Sequence, residues 1–456
     1  MPDVVLGYIA DFFALSWWLW LFVILVPATK SVWLFWRGTL FSKSIEYRMM
    51  VMELVMPREI HRSPRAMEQV LMVIHSLRNI PNDLREKWWD GEFTRTFTME
   101  MVSFGGEIRF FIRFHFRHRP LVEAAFYSYY PDVELKEIDD YIDQLPEGVD
   151  EMYRQGYDMW GSEMVLARED AYPIRSYLDF ESPDEEKQYD PLSVFIEVMA
   201  KAKKEEIVAV QLVSRPKDPK WHEAKKWKDF VNRLRERGDE QKKKPSASTV
   251  ADFPGGPLPA LSVKGAGEED APLKPLMLSF MRTPGETDVL KAVESNLSKP
   301  AFDVAIRILY FSPKALFYDS YARRGVAGSF NQYAAMDLNY FIQNVRVGTR
   351  TRLWAKPYIF AKTRGDYRKE SIIKQYRGRS MPFGDFLPKL ITSTPFRLNF
   401  ASRTSVLNAQ SLATIFHPPT FQVLTAPHMR RVESKRTGAP AGMGIYGEEE
   451  EIDRFQ

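Results

Sequence analysis

Residues 12–29, Phe-Phe-Ala-Leu-Ser-Trp-Trp-Leu-Trp-Leu-Phe-Val-Ile-Leu-Val-Pro-Ala-Thr, form one uncharged apolar run at the front of an otherwise polar chain. A bilayer core of roughly 30 Å takes about twenty apolar residues, a length reached if the run extends to Trp36. The pattern predicts a transmembrane helix over 12–36. Phe12, Trp17, Trp18 and Trp20 would anchor one boundary and Trp33 and Trp36 the other, because indole rings favour the headgroup region. Residues 1–11 carry two aspartates and no Lys or Arg, which argues against a cleaved signal peptide. Lys30, Arg37, Lys43 and Arg48 follow, and such charge stays in the cytoplasm. The expected placement is a single pass through the inner membrane, N-terminus outside and body in the cytoplasm, with the lipid bilayer as a partner.

The composition excludes more than it assigns. Without cysteine there are no disulfides, thiolate nucleophiles, Fe–S clusters or Cys-ligated zinc sites. None of the seven histidines forms the His-Glu-x-x-His pair that sets two ligands on one helix face. No Gly-x-x-x-x-Gly-Lys-Ser/Thr phosphate loop, Gly-x-Gly-x-x-Gly turn or Gly-x-Ser-x-Gly elbow is present. The expectation is a non-enzyme with no cofactor, metal or catalytic residue.

Periodicity gives the body an α+β reading. Ile45 to Met56 is strand-like, and Met67, Val70, Leu71, Ile74 and Leu77 recur at helical spacing behind Ser63-Pro64. Phe97–Phe104 and Ile108–Phe116 are two strands joined at Gly105-Gly106, a pair able to supply the positive φ of a tight hairpin. A helix from Pro120 and a short strand, Val133–Ile138, complete the order βαββαβ, the ferredoxin-like unit, expected to leave one sheet face free. A second set follows: strand Ser162–Arg168, helix from Asp190-Pro191, strand Ile207–Val213 and strand Phe302–Phe311. Lys220 to Gly238 reads as a charged helix with a thin apolar stripe of Trp221, Trp227, Phe230 and Leu234. The expected organisation is an extracytoplasmic 1–11, a transmembrane helix 12–36, a ferredoxin-like domain 40–145 and a second such domain 146–345 with a mobile insertion 240–273. A basic region 346–456 with an acidic tail ends the chain.

Two segments could carry chemistry. Arg109, Arg113 and Arg117 share one face of the third strand; a solvated or acid-paired face is the preferred reading, with nucleic-acid contact the alternative. From 346 to 379 there are eleven cations against Asp366 and Glu370. They are Arg346, Arg350, Arg352, Lys356, Lys362 and Arg364, then Arg368, Lys369, Lys374, Arg377 and Arg379, interleaved with Trp354, Tyr358, Phe360, Tyr367 and Tyr376. This stretch could track phosphates and stack bases, dock anionic lipid or an acidic partner, or be a solvated loop. His417, before Pro418-Pro419, reads as a helix-end or packing residue.

Longer stretches carry a resemblance. Thr283-Pro-Gly-Glu286, Ala292-Val-Glu-Ser-Asn-Leu-Ser-Lys-Pro300 and Phe302-Asp-Val-Ala-Ile-Arg-Ile-Leu-Tyr310 are similar to the region ahead of conjugative-transfer ATPases in some bacteria with reduced genomes. Tyr172-Pro-Ile-Arg-Ser-Tyr177, Ser329-Phe-Asn-Gln, Leu338-Asn-Tyr-Phe341 and Leu407–Pro418 extend the match over roughly residues 40–440. In relatives of this kind a type IV coupling-protein or HerA-like motor can follow; here an acidic tail, Glu448–Glu451 with Asp453, stands in that place. The resemblance implies a membrane-anchored docking subunit of a type IV secretion-like or conjugative DNA-transfer machine. Its expected partners are a separate hexameric P-loop ATPase, further subunits of an oligomer and DNA. The alternative is a membrane-tethered nucleic-acid-binding module using 346–379.

Overall fold

The computed structural model describes residues 48–57, 60, 62–79, 85, 94–181, 189–240, 284–349, 361–382 and 400–420, with scattered helical positions between 11 and 39. Nine strands form one sheet: β1 Met49–Val55, β2 Phe97–Phe104, β3 Glu107–His115, β4 Glu134–Ile138, β5 Tyr157–Leu166, β6 Ile207–Pro216, β7 Ala301–Pro313, β8 Phe341–Gln343 and β9 Ser405–Asn408. The helices used below are α1 Arg65–Ser76, α2 Arg119–Tyr129, α3 Val149–Arg154, α4 Ser193–Ala200, α5 Lys225–Glu240, α6 Pro284–Leu297, α7 Ala361–Arg377 and α8 Ala409–Ile415.

The strand order is β4-β1-β3-β2-β6-β7-β5-β8, every neighbour antiparallel, with β9 beside the start of β7. Its first four positions hold the order 4-1-3-2 of one βαββαβ unit, and the last four hold the same order reversed. The halves meet at β2 and β6, in register from Phe97↔Ser214 to Phe104↔Ile207, which relates them by an internal pseudo-two-fold axis. Two corrections follow. The expected pair of ferredoxin-like domains is one continuous sheet, because the second strand of each unit spends its open edge on the other. The expected transmembrane helix over 12–36 also fails: among the described residues no helix is long and apolar enough to cross a membrane. The single-pass, inner-membrane placement falls with that helix.

Local sequence explains the hairpin. Gly105 and Gly106 have φ of 59° and 95°, and a Cβ on Gly105 would lie 2.6 Å from the Lys204 carbonyl oxygen. On α1, buried Met67, Val70, Leu71 and Ile74 recur at helical spacing and face the sheet.

Both faces of the sheet are covered, so neither is the free face expected from a lone ferredoxin-like unit. One face packs Met52, Met99, Phe110, Leu212 and Ile306 beneath α1, α2, α4 and α8. The other packs Val51, Val102, Phe111, Leu309 and Phe311 against Tyr141, Met152 of α3 and Ile372, Ile373 and Tyr376 of α7. Gly161 on β5 admits α7: a Cβ there would meet Ile372 Cδ1 at 2.9 Å and Leu309 Cδ2 at 2.8 Å. Between β6 and β7, α5 and α6 form an arm with its own small core of Trp221, Trp227, Phe230, Val293 and Leu297.

Candidate functional site

The strand registers place Glu53, Phe111, Glu100, Gln211, Arg307 and Glu163 in one row across the sheet, all on the α7 face. The pseudo-two-fold relates Glu53 to Glu163 and Glu100 to Gln211. Such a buried polar row is costly unless every member is paired, and the C-terminal segment supplies partners. Arg379 is 3% exposed; its Nε donates to Glu100 Oε1 at 2.7 Å and its Nη2 to Asp140 Oδ1 at 2.9 Å. Glu100 also accepts from Gln211 Nε2 at 2.8 Å and from the Tyr141 hydroxyl at 2.6 Å, and that hydroxyl lies 2.6 Å from the Tyr376 hydroxyl. Burial works against the Asp140 charge, but the hydrogen bond and charge of Arg379 outweigh it and hold the carboxyl below its usual range. Arg379 itself sits at φ 45°, a strained position kept by these contacts. Farther along, Arg307 Nε lies 3.4 Å from Glu163 Oε1 and Nη2 donates to the Ser380 carbonyl at 2.6 Å. Glu163 accepts from Ser402.

The basic stretch 346–379 is thus mostly structural. Arg368 is buried and donates to the Arg346 carbonyl at 2.7 Å; burial, with the nearby Arg364 charge, pulls its guanidinium down to about 10. Lys369 pairs with Asp158, Lys374 pairs with Glu370 at 2.7 Å, and Arg377 donates to the carbonyls of Ile142 and Leu145 at 2.7 and 2.6 Å. Arg364 is half-buried, while Arg346 and Lys362 are exposed. Arg350, Arg352 and Lys356 lie outside the described residues, as do Phe12, Trp20, the 241–273 part of the insertion and the acidic tail. Trp17, Trp18 and Trp36 are exposed, and Trp33 packs against Trp36 with centroids 5.2 Å apart. On β3, Arg109 pairs with Glu107 at 2.9 Å and sits 3.9 Å from Glu53.

Other clusters are also internally committed. A cleft of about 430 Å³ beside β1 and β4 is lined by Arg48, Arg113, Phe116, Arg119, Asp139 and Asp140, among others. Arg119 there pairs with Glu123 and Glu137, and Asp140 with Arg379. His417, fully buried, lies 3.2 Å by Nε2 from Asp190 and 2.9 Å by Nδ1 from the Ala413 carbonyl. Asp190 also accepts from the Thr420 backbone at 2.7 Å and its hydroxyl at 2.9 Å, which staples the segment after α8 to the start of α4. Among the described residues no cluster of three His, Asp or Glu could hold a metal ion.

Two surfaces remain uncommitted. The first is the β8 edge. Among the described residues β8 pairs with β5 alone, and its segment exposes Met336 at 74% and Ile342 at 43%. The opposite edge, β4, is lined by exposed Glu134, Lys136 and Glu137, the usual protection against strand addition. The second surface is the outer arc of α5, where Lys225, Lys226, Lys228 and Arg233 are exposed and make no ion pair with a described residue. The sequence signal for that arc was available: these cations fall away from the Trp227, Phe230 and Leu234 stripe. No function had been attached to it.

The curated proteins contain no match to this chain. A family model described as a domain of unknown function (DUF8128) matches residues 54–353, which runs from the end of β1 through β8 and includes the α5–α6 arm. The chain belongs to the DUF8128 family.

Proposed function

We propose that the chain is a non-catalytic docking subunit that positions a separate P-loop ATPase in a type IV secretion-like or conjugative DNA-transfer machine. The observation that carries this reading is the contrast between the two sheet edges. β4 is guarded by charge, whereas the outer edge of β8 has no strand partner among the described residues and lies beside exposed Ile342 and Met336. Strand addition uses such an edge, with backbone hydrogen bonds for affinity and alternate side chains for specificity. The resemblance over 283–310 and 407–418 supplies the identity of the partner. The stretch 346–379 favours docking over nucleic-acid reading, since Arg368, Lys369, Arg377 and Arg379 are spent on partners within the protein.

The test is co-expression with a P-loop ATPase of the conjugative coupling-protein type, followed by affinity capture. The wild-type chain is expected to retain the ATPase, and Ile342→Arg to reduce capture at least tenfold without lowering Tm. Equal capture by Ile342→Arg, or no capture by the wild type, would contradict the reading. The alternative, nucleic-acid binding through 346–379, is favoured instead if charge reversal at Arg346 and Lys362 abolishes DNA binding.

A further inference from the structure

We infer that the outer arc of α5 is a contact surface for the phosphate backbone of duplex nucleic acid. The arm presents Lys225, Lys226, Lys228 and Arg233 to solvent, with Lys220 exposed in the turn before it. None forms an ion pair with a described residue, and the carboxylates exposed among them are Glu223 and Asp229. Lys226 Nζ stands 4.3 Å from the Trp227 ring centroid and Arg233 Cζ stands 5.7 Å from that of Phe230, so the buried rings back the cations that point outward.

The chemistry of the arc selects among polyanions. A protein interface gathers apolar side chains at its centre, and a membrane-surface helix lays an apolar face into the lipid. Here the apolar face is already used: Trp227 is 5% and Phe230 6% exposed, packed with Val293 and Leu297 of α6. Among the described side chains of α5 no large apolar one is exposed. Cations without exposed apolar neighbours suit phosphate contact, where affinity comes from releasing condensed counterions and no base need be read. From Lys225 to Arg233 the helix rises about 12 Å, which spans roughly three to four base pairs of a duplex.

This surface is separate from the β8 edge and does not rest on docking there. The experiment measures binding of the full chain to a fluorescein-labelled 20-base-pair duplex across a salt series, beside the triple variant Lys225→Gln, Lys228→Gln, Arg233→Gln. Each lost phosphate contact lowers the slope of log K against log salt by about 0.9, so the triple variant should lose about 2.7 in slope and bind on the order of 100-fold more weakly at 0.1 M salt. ATPase capture by the triple variant should be unchanged, which separates failure here from failure of the docking reading. The inference is overturned if the folded triple variant keeps the wild-type slope, or if Lys362→Gln with Lys374→Gln weakens binding as much. It is overturned equally if polyglutamate or phosphatidylserine vesicles, and not duplex, bind through these residues.

Discussion

Two helices of this protein, α5 and α7, each carry six Lys or Arg, and they use that charge in different ways. α7 and the turn after it carry several cations into the fold: Arg379, just past α7, reaches Glu100 and Asp140, Arg368 the Arg346 carbonyl, Arg377 the carbonyls of Ile142 and Leu145. α5 turns Lys225, Lys226, Lys228 and Arg233 outward, pairs Arg235 with Glu294 at 2.8 Å, and buries only Trp227 and Phe230 among its described side chains. The difference lies in the neighbouring surface. α7 lies over a sheet face with a row of buried carboxylates that need partners, whereas α5 lies on a small apolar arm that needs none. Counting charge along a chain therefore says little about which charge is available to a ligand.

The comparison is broken most directly at Arg379. Removing one partner of a buried, hydrogen-bonded ion pair leaves the other uncompensated, so Arg379→Ala should cost about 3–5 kcal/mol in denaturant unfolding. Ile372→Ala, which opens space above Gly161, should cost about 2–5 kcal/mol. Acid should find the same layer. Asp140 is held below its ordinary range despite burial, by Arg379, and Asp190 likewise by His417 and the Thr420 and Leu192 backbone hydrogen bonds. Their contribution is complete above the unfolded Asp value of about 3.9 and is lost as pH falls through the lower folded values. Thermal unfolding followed from pH 6 to pH 2 should show a falling acid limb that Asp140→Asn flattens. Lys369→Gln removes a partly exposed pair with Asp158 and should cost no more than about 1 kcal/mol. Lys228→Gln on α5 should stay within about 0.5 kcal/mol of wild type.

The elements with strong local signals were legible in the sequence. The Gly105-Gly106 hairpin follows from turn chemistry, and α1 from the spacing of Met67, Val70, Leu71 and Ile74. What escaped was what one segment does to another. Nothing local in Phe97–Phe104 or Ile207–Pro216 says that these strands pair with each other and fuse two units into one sheet. Glu53, Glu100 and Glu163 sit at alternating positions that look solvent-facing, and their burial depends on α7, far away in the chain. For the same reason the cations of 346–379 read as an exposed surface. The apolar run at the front is the reverse case: composition pointed to a membrane span, and the described helical residues do not form one.

The most direct measurement of the central claim, that Lys369, Arg377 and Arg379 build the fold while Lys225, Lys228 and Arg233 of α5 do not, is a paired thermal melt at one salt concentration. One variant carries Lys369→Gln, Arg377→Gln and Arg379→Gln; the other carries Lys225→Gln, Lys228→Gln and Arg233→Gln. The account predicts a large loss of Tm for the first and a Tm within a degree or two of wild type for the second. Equal losses in both, or a stable first variant, would contradict it.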